Sequence, residues 1–136
     1  MSSSAAPSPP AAPITPRAII AGHGGFANGM ISAVAQISGL GGVFIPVSNT
    51  GLSAAGVEDL LRAAVRDSGA RIIFTDLPSG SCTLAARRVA RTEPGLVVVT
   101  GVALPTVLSF ACGSDLATAT QRGRDAITVV EGADGA

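Results

Sequence analysis

The spacing of apolar residues divides the chain into short buried runs that alternate with one-faced helical stretches. Ala18 to Ala21 is an apolar run ending at Gly22, as a buried first strand does, and the next apolar positions, Met30, Ile31, Val34 and Ile37, fall at helical intervals. Gly39, Gly41 and Gly42 stop that helix, and Val43-Phe44-Ile45-Pro46-Val47 predicts a second strand, with Pro46 suited to a sheet edge or a bulge. Ser53 is placed to cap a helix that carries Val57, Leu60, Leu61, Ala64 and Val65 on one face and ends at Gly69. Glu58 and Asp59 come early in it and Arg62 and Arg66 late, as the helix dipole favours.

Arg71 to Thr75 predicts a third strand, and Asp76 stands at its carboxyl end, before the turn Leu77-Pro78-Ser79-Gly80-Ser81. A helix from Thr83 to Arg91, a strand from Leu96 to Thr100 and a short helix from Leu104 to Ala111 follow, with Pro105 in the first turn of that helix. Asp115 to Arg124 predicts a last helix and Ala126 to Val130 a last strand. Strands and helices in this alternation specify an α/β fold: a doubly wound three-layer sandwich around a mostly parallel sheet. Ligands of such sheets bind beyond the carboxyl ends of the strands, at the point where strand order reverses. The turns at His23 and Asp76 and the loop Gly101-Val102-Ala103 therefore converge on one rim.

Composition narrows the possibilities. The length of 136 residues suits one domain, 17–136, behind a Ser-, Ala- and Pro-rich stretch, 1–16, that reads as a disordered tail without the features of a signal peptide. A chain with 47% hydrophobic and 13% charged residues fits a buried parallel sheet. Nine arginines against nine acidic residues leave no basic field for nucleic acid or an anionic membrane. No apolar run approaches the roughly 20 residues of a membrane span, so the expected location is the cytoplasm. The two cysteines, Cys82 and Cys112, read as ordinary buried thiols in a reduced compartment.

The rim holds the chain's only histidine, His23. An isolated histidine is commonly a satisfied structural residue, but glycines at 22, 24 and 25 leave this ring uncrowded and expose backbone N–H groups at a helix start, a ready anion site. A carboxylate from another strand end fixes the tautomer of such a ring and leaves its second nitrogen as a nucleophile. Asp76 is the candidate for that role, its alternative being a turn-capping aspartate for Pro78-Ser79-Gly80. Ser79 and Ser81 supply hydroxyls for an anion. Three rival motifs fit less well. Gly22-x-Gly24-x-x-Ala27 lacks the acidic residue of a dinucleotide site, His23-Gly24-Gly25 lacks the nucleophile elbow of a hydrolase, and one histidine with scattered carboxylates makes a poor metal site.

Over roughly Arg17 to Val130 the sequence resembles the enzyme IIA domain of the mannose-type family of the bacterial sugar phosphotransferase system. The likeness rests on Ile20-Ala21-Gly22-His23-Gly24-Gly25-Phe26-Ala27-Asn28-Gly29, on Phe74-Thr75-Asp76-Leu77-Pro78-Ser79-Gly80-Ser81 and on Thr100-Gly101-Val102-Ala103-Leu104-Pro105. The resemblance implies phosphorylation of His23 on Nε2 and an Asp76 that holds Nδ1. It gives Gly24, Ser79, Gly80 and Ser81 contact with the phosphoryl group, and puts Phe26 and Leu77 on the partner-facing surface. It implies phospho-HPr as donor, a IIB protein as acceptor, no metal or organic cofactor, and a homodimer in which the C-terminal edge strand, Ala126 to Val130, is exchanged. The chain departs from the family pattern at Ser79, Cys82, Leu84 and Ala103, which alters the loops around the site. Two alternatives stay within the same fold: a phosphotransfer subunit like that of dihydroxyacetone kinase, and a regulatory module read out by His23 phosphorylation.

Overall fold

The computed structural model describes residues 15–134, so the expected tail over 1–16 lies, apart from Thr15 and Pro16, outside the described residues. Strand β1 (Ala18–Gly22) is buried along its whole length. Ala18 and Ile20 pack on one side with Ala27, Val34, Phe44, Phe74 and Phe110, while Ile19 and Ala21 pack on the other with Val57, Leu61, Ile73 and Val89. Side chains of a strand alternate between faces, and a strand covered on both therefore reads as an unbroken apolar run.

Around β1 the chain builds one parallel sheet in the order β2-β1-β3-β4, with β2 at Phe44–Ser48, β3 at Ile72–Thr75 and β4 at Val97–Val99. Pro46 lies in β2, an edge strand, where its missing N–H leaves no gap in the ladder. Helices α1 (Phe26–Ser38), α4 (Leu104–Ala111) and α5 (Leu116–Asp125) cover one face; α2 (Ala54–Ser68) and α3 (Ser81–Ala90) cover the other. On the first face the rings of Phe74 and Phe110 meet edge to face, 5.3 Å between centres. The Arg17 guanidinium lies over the Phe110 ring and donates to the Phe110 carbonyl at 2.8 Å, which ties the start of β1 to α4.

Ser53 caps α2 by accepting from the Gly56 amide at 3.0 Å, and Asp115 caps α5 through Thr118 at 2.7 Å. Several expectations are corrected. Val43 belongs to a 3-10 turn, Gly41–Val43, ahead of β2. The α3 helix begins at Ser81, two residues before the expected Thr83, with Gly80 as its N-cap. Leu60 is 45% exposed because α2 buries Val57, Leu61 and Val65, a stripe of four-residue steps that turns Leu60 to the flank; Ile37, in the last turn of α1, is 60% exposed. Cys82 is buried as expected, but Cys112, just past α4, is exposed.

The predicted last strand is absent among the described residues. Ala126 caps α5, and the segment after it carries Ile127, Val129 and Val130 into solvent at 78%, 87% and 89% exposure. A strand needs a neighbour to complete its hydrogen bonds, and this segment pairs with no strand among the described residues. Among the described residues no helix is long and apolar enough to cross a membrane.

Candidate functional site

Strands β1 and β3 are neighbours, and the order β2-β1-β3-β4 reverses direction between them. Ala21 is level with Thr75 in the register, so the chain leaves both strands at the same height and brings His23 to Asp76. Asp76 Oδ2 accepts from the His23 backbone N–H at 2.9 Å and lies 2.8 Å from ring Nδ1. The His23 side chain is 46% exposed, whereas that of Asp76 is 10% exposed.

Burial raises the Asp76 pKa, yet the backbone and ring of His23 more than offset this and hold the carboxyl below its usual value. An ionised carboxylate has no proton to donate, so the short contact requires the proton on Nδ1 and leaves the Nε2 lone pair outward. Charge-assisted bonds of this length contribute about 1.5–3 kcal/mol, enough to fix one ring orientation. The turn-capping alternative for Asp76 does not hold, because both of its side-chain hydrogen bonds go to His23. Its second oxygen, Oδ1, is buried without a partner among the described residues.

The turn after Asp76 brings Gly80 against the ring: a Cβ placed there would stand 3.5 Å from His23 Cε1. Ser81 opens α3 beside it, and the buried Thr83 hydroxyl braces the turn from behind, 2.6 Å from the Leu77 carbonyl and 2.7 Å from Thr75 Oγ1. The thiol of Cys82 also lies on this inner side, pushed up by burial and then by the Asp76 charge. Among the described residues neither α1 nor α3 has a side-chain cap, in contrast to α2 and α5. The Phe26 amide of α1 donates to the His23 carbonyl at 3.1 Å, and the amides that follow it, with the first amides of α3, are left for another acceptor.

The expected partner-facing residues differ from one another. Leu77 is 48% exposed, but Phe26 is half-buried and packs on the core. Ser79 is exposed on the turn and lines a groove of about 220 Å³ with Pro78, Gly80, Thr83, Leu84 and Arg87. The third loop joins the rim as expected, through the Val102 amide, which donates to the Thr75 carbonyl at 3.0 Å.

One residue of the rim was not legible as such. Asn49, just past β2, places Oδ1 3.4 Å from the Gly24 amide and Nδ2 3.5 Å from Ser81 Oγ, and so touches two of the residues expected around the phosphoryl group. Its position at the end of a strand was the available signal. Glu58 and Glu93 stand away from the site, paired with Arg62 and Arg66 at 3.1 Å in each case. Among the described residues no three His, Cys, Asp or Glu side chains are grouped to hold a metal ion.

This geometry can be set beside known proteins. The EIIA-man family, described as the PTS system fructose IIA component, matches residues 17–127. No curated protein sequence matches significantly. Among solved structures, the mannose/sorbose-specific IIA subunit of the phosphotransferase system from Enterococcus faecalis is 21% identical, over 89% of this chain and 98% of its own, with a TM-score of 0.73. Component EIIA from Streptococcus agalactiae is 20% identical over 83% of this chain and 95% of its own, TM-score 0.75. The PTS IIA protein associated with the fucose utilization operon of Streptococcus pneumoniae is 19% identical over 87% and 95%, TM-score 0.73. At such identities structural likeness establishes the fold, while the family match runs from the residue before β1 to the residue after the α5 cap. The chain thus belongs to the EIIA-man family, the mannose-type IIA components of the sugar phosphotransferase system.

Proposed function

We propose that the protein is a cytoplasmic phosphocarrier that accepts a phosphoryl group from phospho-HPr on His23 Nε2 and passes it to a IIB protein. The observation that carries this reading is the 2.8 Å contact between His23 Nδ1 and Asp76 Oδ2 beneath a half-exposed ring. The Nε2 lone pair forms the new N–P bond as the N–P bond in the donor breaks, and the electron pair of that bond returns to the donor's imidazole. His23 keeps its Nδ1 proton throughout, so the positive charge that develops on its ring faces an ionised Asp76. Gly24, Gly80 and the uncapped amides of α1 and α3 surround the transferring oxygens, with hydroxyls from Ser81 and Ser79. Donor and acceptor dock over the exposed Leu77 and the groove beside it.

Incubation with phosphoenolpyruvate, enzyme I and HPr is expected to add one acid-labile phosphate that His23→Ala does not take up. No uptake by the wild type from several HPr proteins would overturn the donor. Onward transfer to an isolated IIB protein separates this reading from a relay of the dihydroxyacetone kinase type.

The same reading includes a homodimer in which the segment from Ile127 to Val130 pairs with a partner's sheet. Its support is the exposure of Ile127, Val129 and Val130, together with a sheet that ends in the edge strand β4, whose Val97 is 45% exposed. Light scattering on the full chain and on a chain ended at Ala126 tests it, and a monomeric full chain overturns it.

A further inference from the structure

We infer that Asn49 is a positioning residue of the His23 site, holding the Ser81 hydroxyl so that its proton points at the bound phosphoryl group. This rests on the phosphocarrier reading above. The register of β1 and β2 puts Ser48 opposite Gly22, and the next amide, that of Asn49, donates to the Gly22 carbonyl at 3.4 Å. The β2 end thus stays attached to β1 up to the residue before His23. Ser48 Oγ donates to the Gly24 carbonyl at 2.9 Å, while Asn49 Oδ1 accepts from the Gly24 amide at 3.4 Å. One loop engages the Gly24 residue at both its peptide groups.

The polarity of the carboxamide follows from its neighbours. The Gly24 amide is a donor, so the oxygen of Asn49 must face it, and that leaves the NH₂ group to face Ser81 Oγ at 3.5 Å. With a lone pair of Ser81 occupied by this donor, its own O–H proton is turned toward the rim, where a phosphoryl oxygen is the acceptor. Both contacts are longer than the usual 2.7–3.2 Å range of about optimal bonds. The carboxamide therefore lies between two phosphoryl-binding groups: its NH₂ orients the Ser81 hydroxyl, while its long contact to the Gly24 amide leaves that donor free to turn to a more negative acceptor.

Aspartate at the same position reverses this arrangement. A carboxylate keeps the shape, accepts more strongly from the Gly24 amide, and draws the Ser81 proton to itself while adding a negative charge next to the phosphoryl site. A purely structural role for Asn49 predicts that Asn49→Asp is milder than Asn49→Ala; the positioning role predicts the opposite.

Phosphoramidate, a small phosphoryl donor that needs no partner protein, supplies the test, with phosphohistidine followed by ³¹P NMR. The wild type should accumulate one phosphohistidine. Asn49→Ala should take up phosphate about tenfold more slowly, and Asn49→Asp more slowly still, by about a hundredfold. In a Ser81→Ala background Asn49→Ala should cost less than it does alone, because a structural loss would appear equally in both backgrounds and cancel. Rates for both variants within twofold of wild type, or full additivity with Ser81→Ala, overturn the inference and leave the phosphocarrier reading standing. Uptake from phosphoramidate but never from phospho-HPr overturns the donor and not Asn49. No phosphohistidine from either source overturns both.

Discussion

Phe26 lies across Gly22: a Cβ on Gly22 would stand 2.5 Å from Phe26 Cδ2 and 2.9 Å from Cγ. The residue before the histidine is thus small because the first residue of α1 folds back over it, and together they fix how the chain turns from β1 into the helix. Gly22→Ala is expected to destabilise the protein by about 1–3 kcal/mol, since the ring must leave its place over the strand end. Urea unfolding measures this, and an unchanged midpoint would remove Phe26 as the constraint. Uptake of phosphate should fall as well, because His23 is carried by the same turn.

Asp76→Asn should separate chemistry from stability. The carboxamide still accepts from the His23 amide, so the loss of stability at neutral pH should stay below about 3 kcal/mol. Phosphoryl uptake should drop by about a hundredfold or more, because the charge opposite the developing imidazolium is gone. Equal uptake by mutant and wild type would take Asp76 out of the mechanism.

The same variant carries a pH signature. The Asp76 pKa is lowered on folding from 3.8, so its contribution is fully present above the unfolded value and is lost as pH falls through the lower folded value. The wild type should therefore lose its stability advantage over Asp76→Asn as the pH falls below 3.8 and on through the lower folded value. An advantage that stays constant down to the acid limit would sink this assignment.

The two thiols should differ in reactivity. Cys82 is buried and its pKa is raised by burial and by the neighbouring Asp76, whereas Cys112 is exposed. Ellman's reagent should titrate one thiol in the native protein and the second only on unfolding. Cys112→Ser should abolish the native reaction, and a persisting fast thiol would contradict the burial of Cys82.

Gly80 tests the turn. Its backbone sits at φ 113°, ψ 175°, a region that only glycine occupies readily. Gly80→Ala should cost about 1–3 kcal/mol and slow phosphorylation, since the chain can relieve the strain only by moving away from His23. Differential scanning calorimetry with the uptake assay reads both effects; a fully stable, fully active variant would show that the turn adapts.

What sequence reveals here follows from the scale of each interaction. The strands and the helices α2 and α4 were legible because burial imposes a period on many residues at once. His23 and Asp76 were legible because both end buried strands, and strand ends of a parallel sheet share one rim. Asn49 was not, because a single polar residue after an edge strand has no period, and its partners are distant in sequence. Exposure of Ile37 and Leu60 depends on the width of the buried stripe, which apolar spacing overstates. The segment after Ala126 has the alternation of a strand, but whether a strand forms depends on having an edge to pair with.

The half-exposed ring of His23 has a practical consequence, since it is the chain's only imidazole and the chain has neither tyrosine nor tryptophan. Every imidazole resonance in a nitrogen-edited NMR spectrum belongs to one address, and so does every phosphate bound to histidine. The unmodified chain has a formal net charge of zero, so a phosphoryl group carrying about two negative charges turns a near-neutral protein into an anion that a native gel resolves. The molecule thereby reports its own loading state without a label.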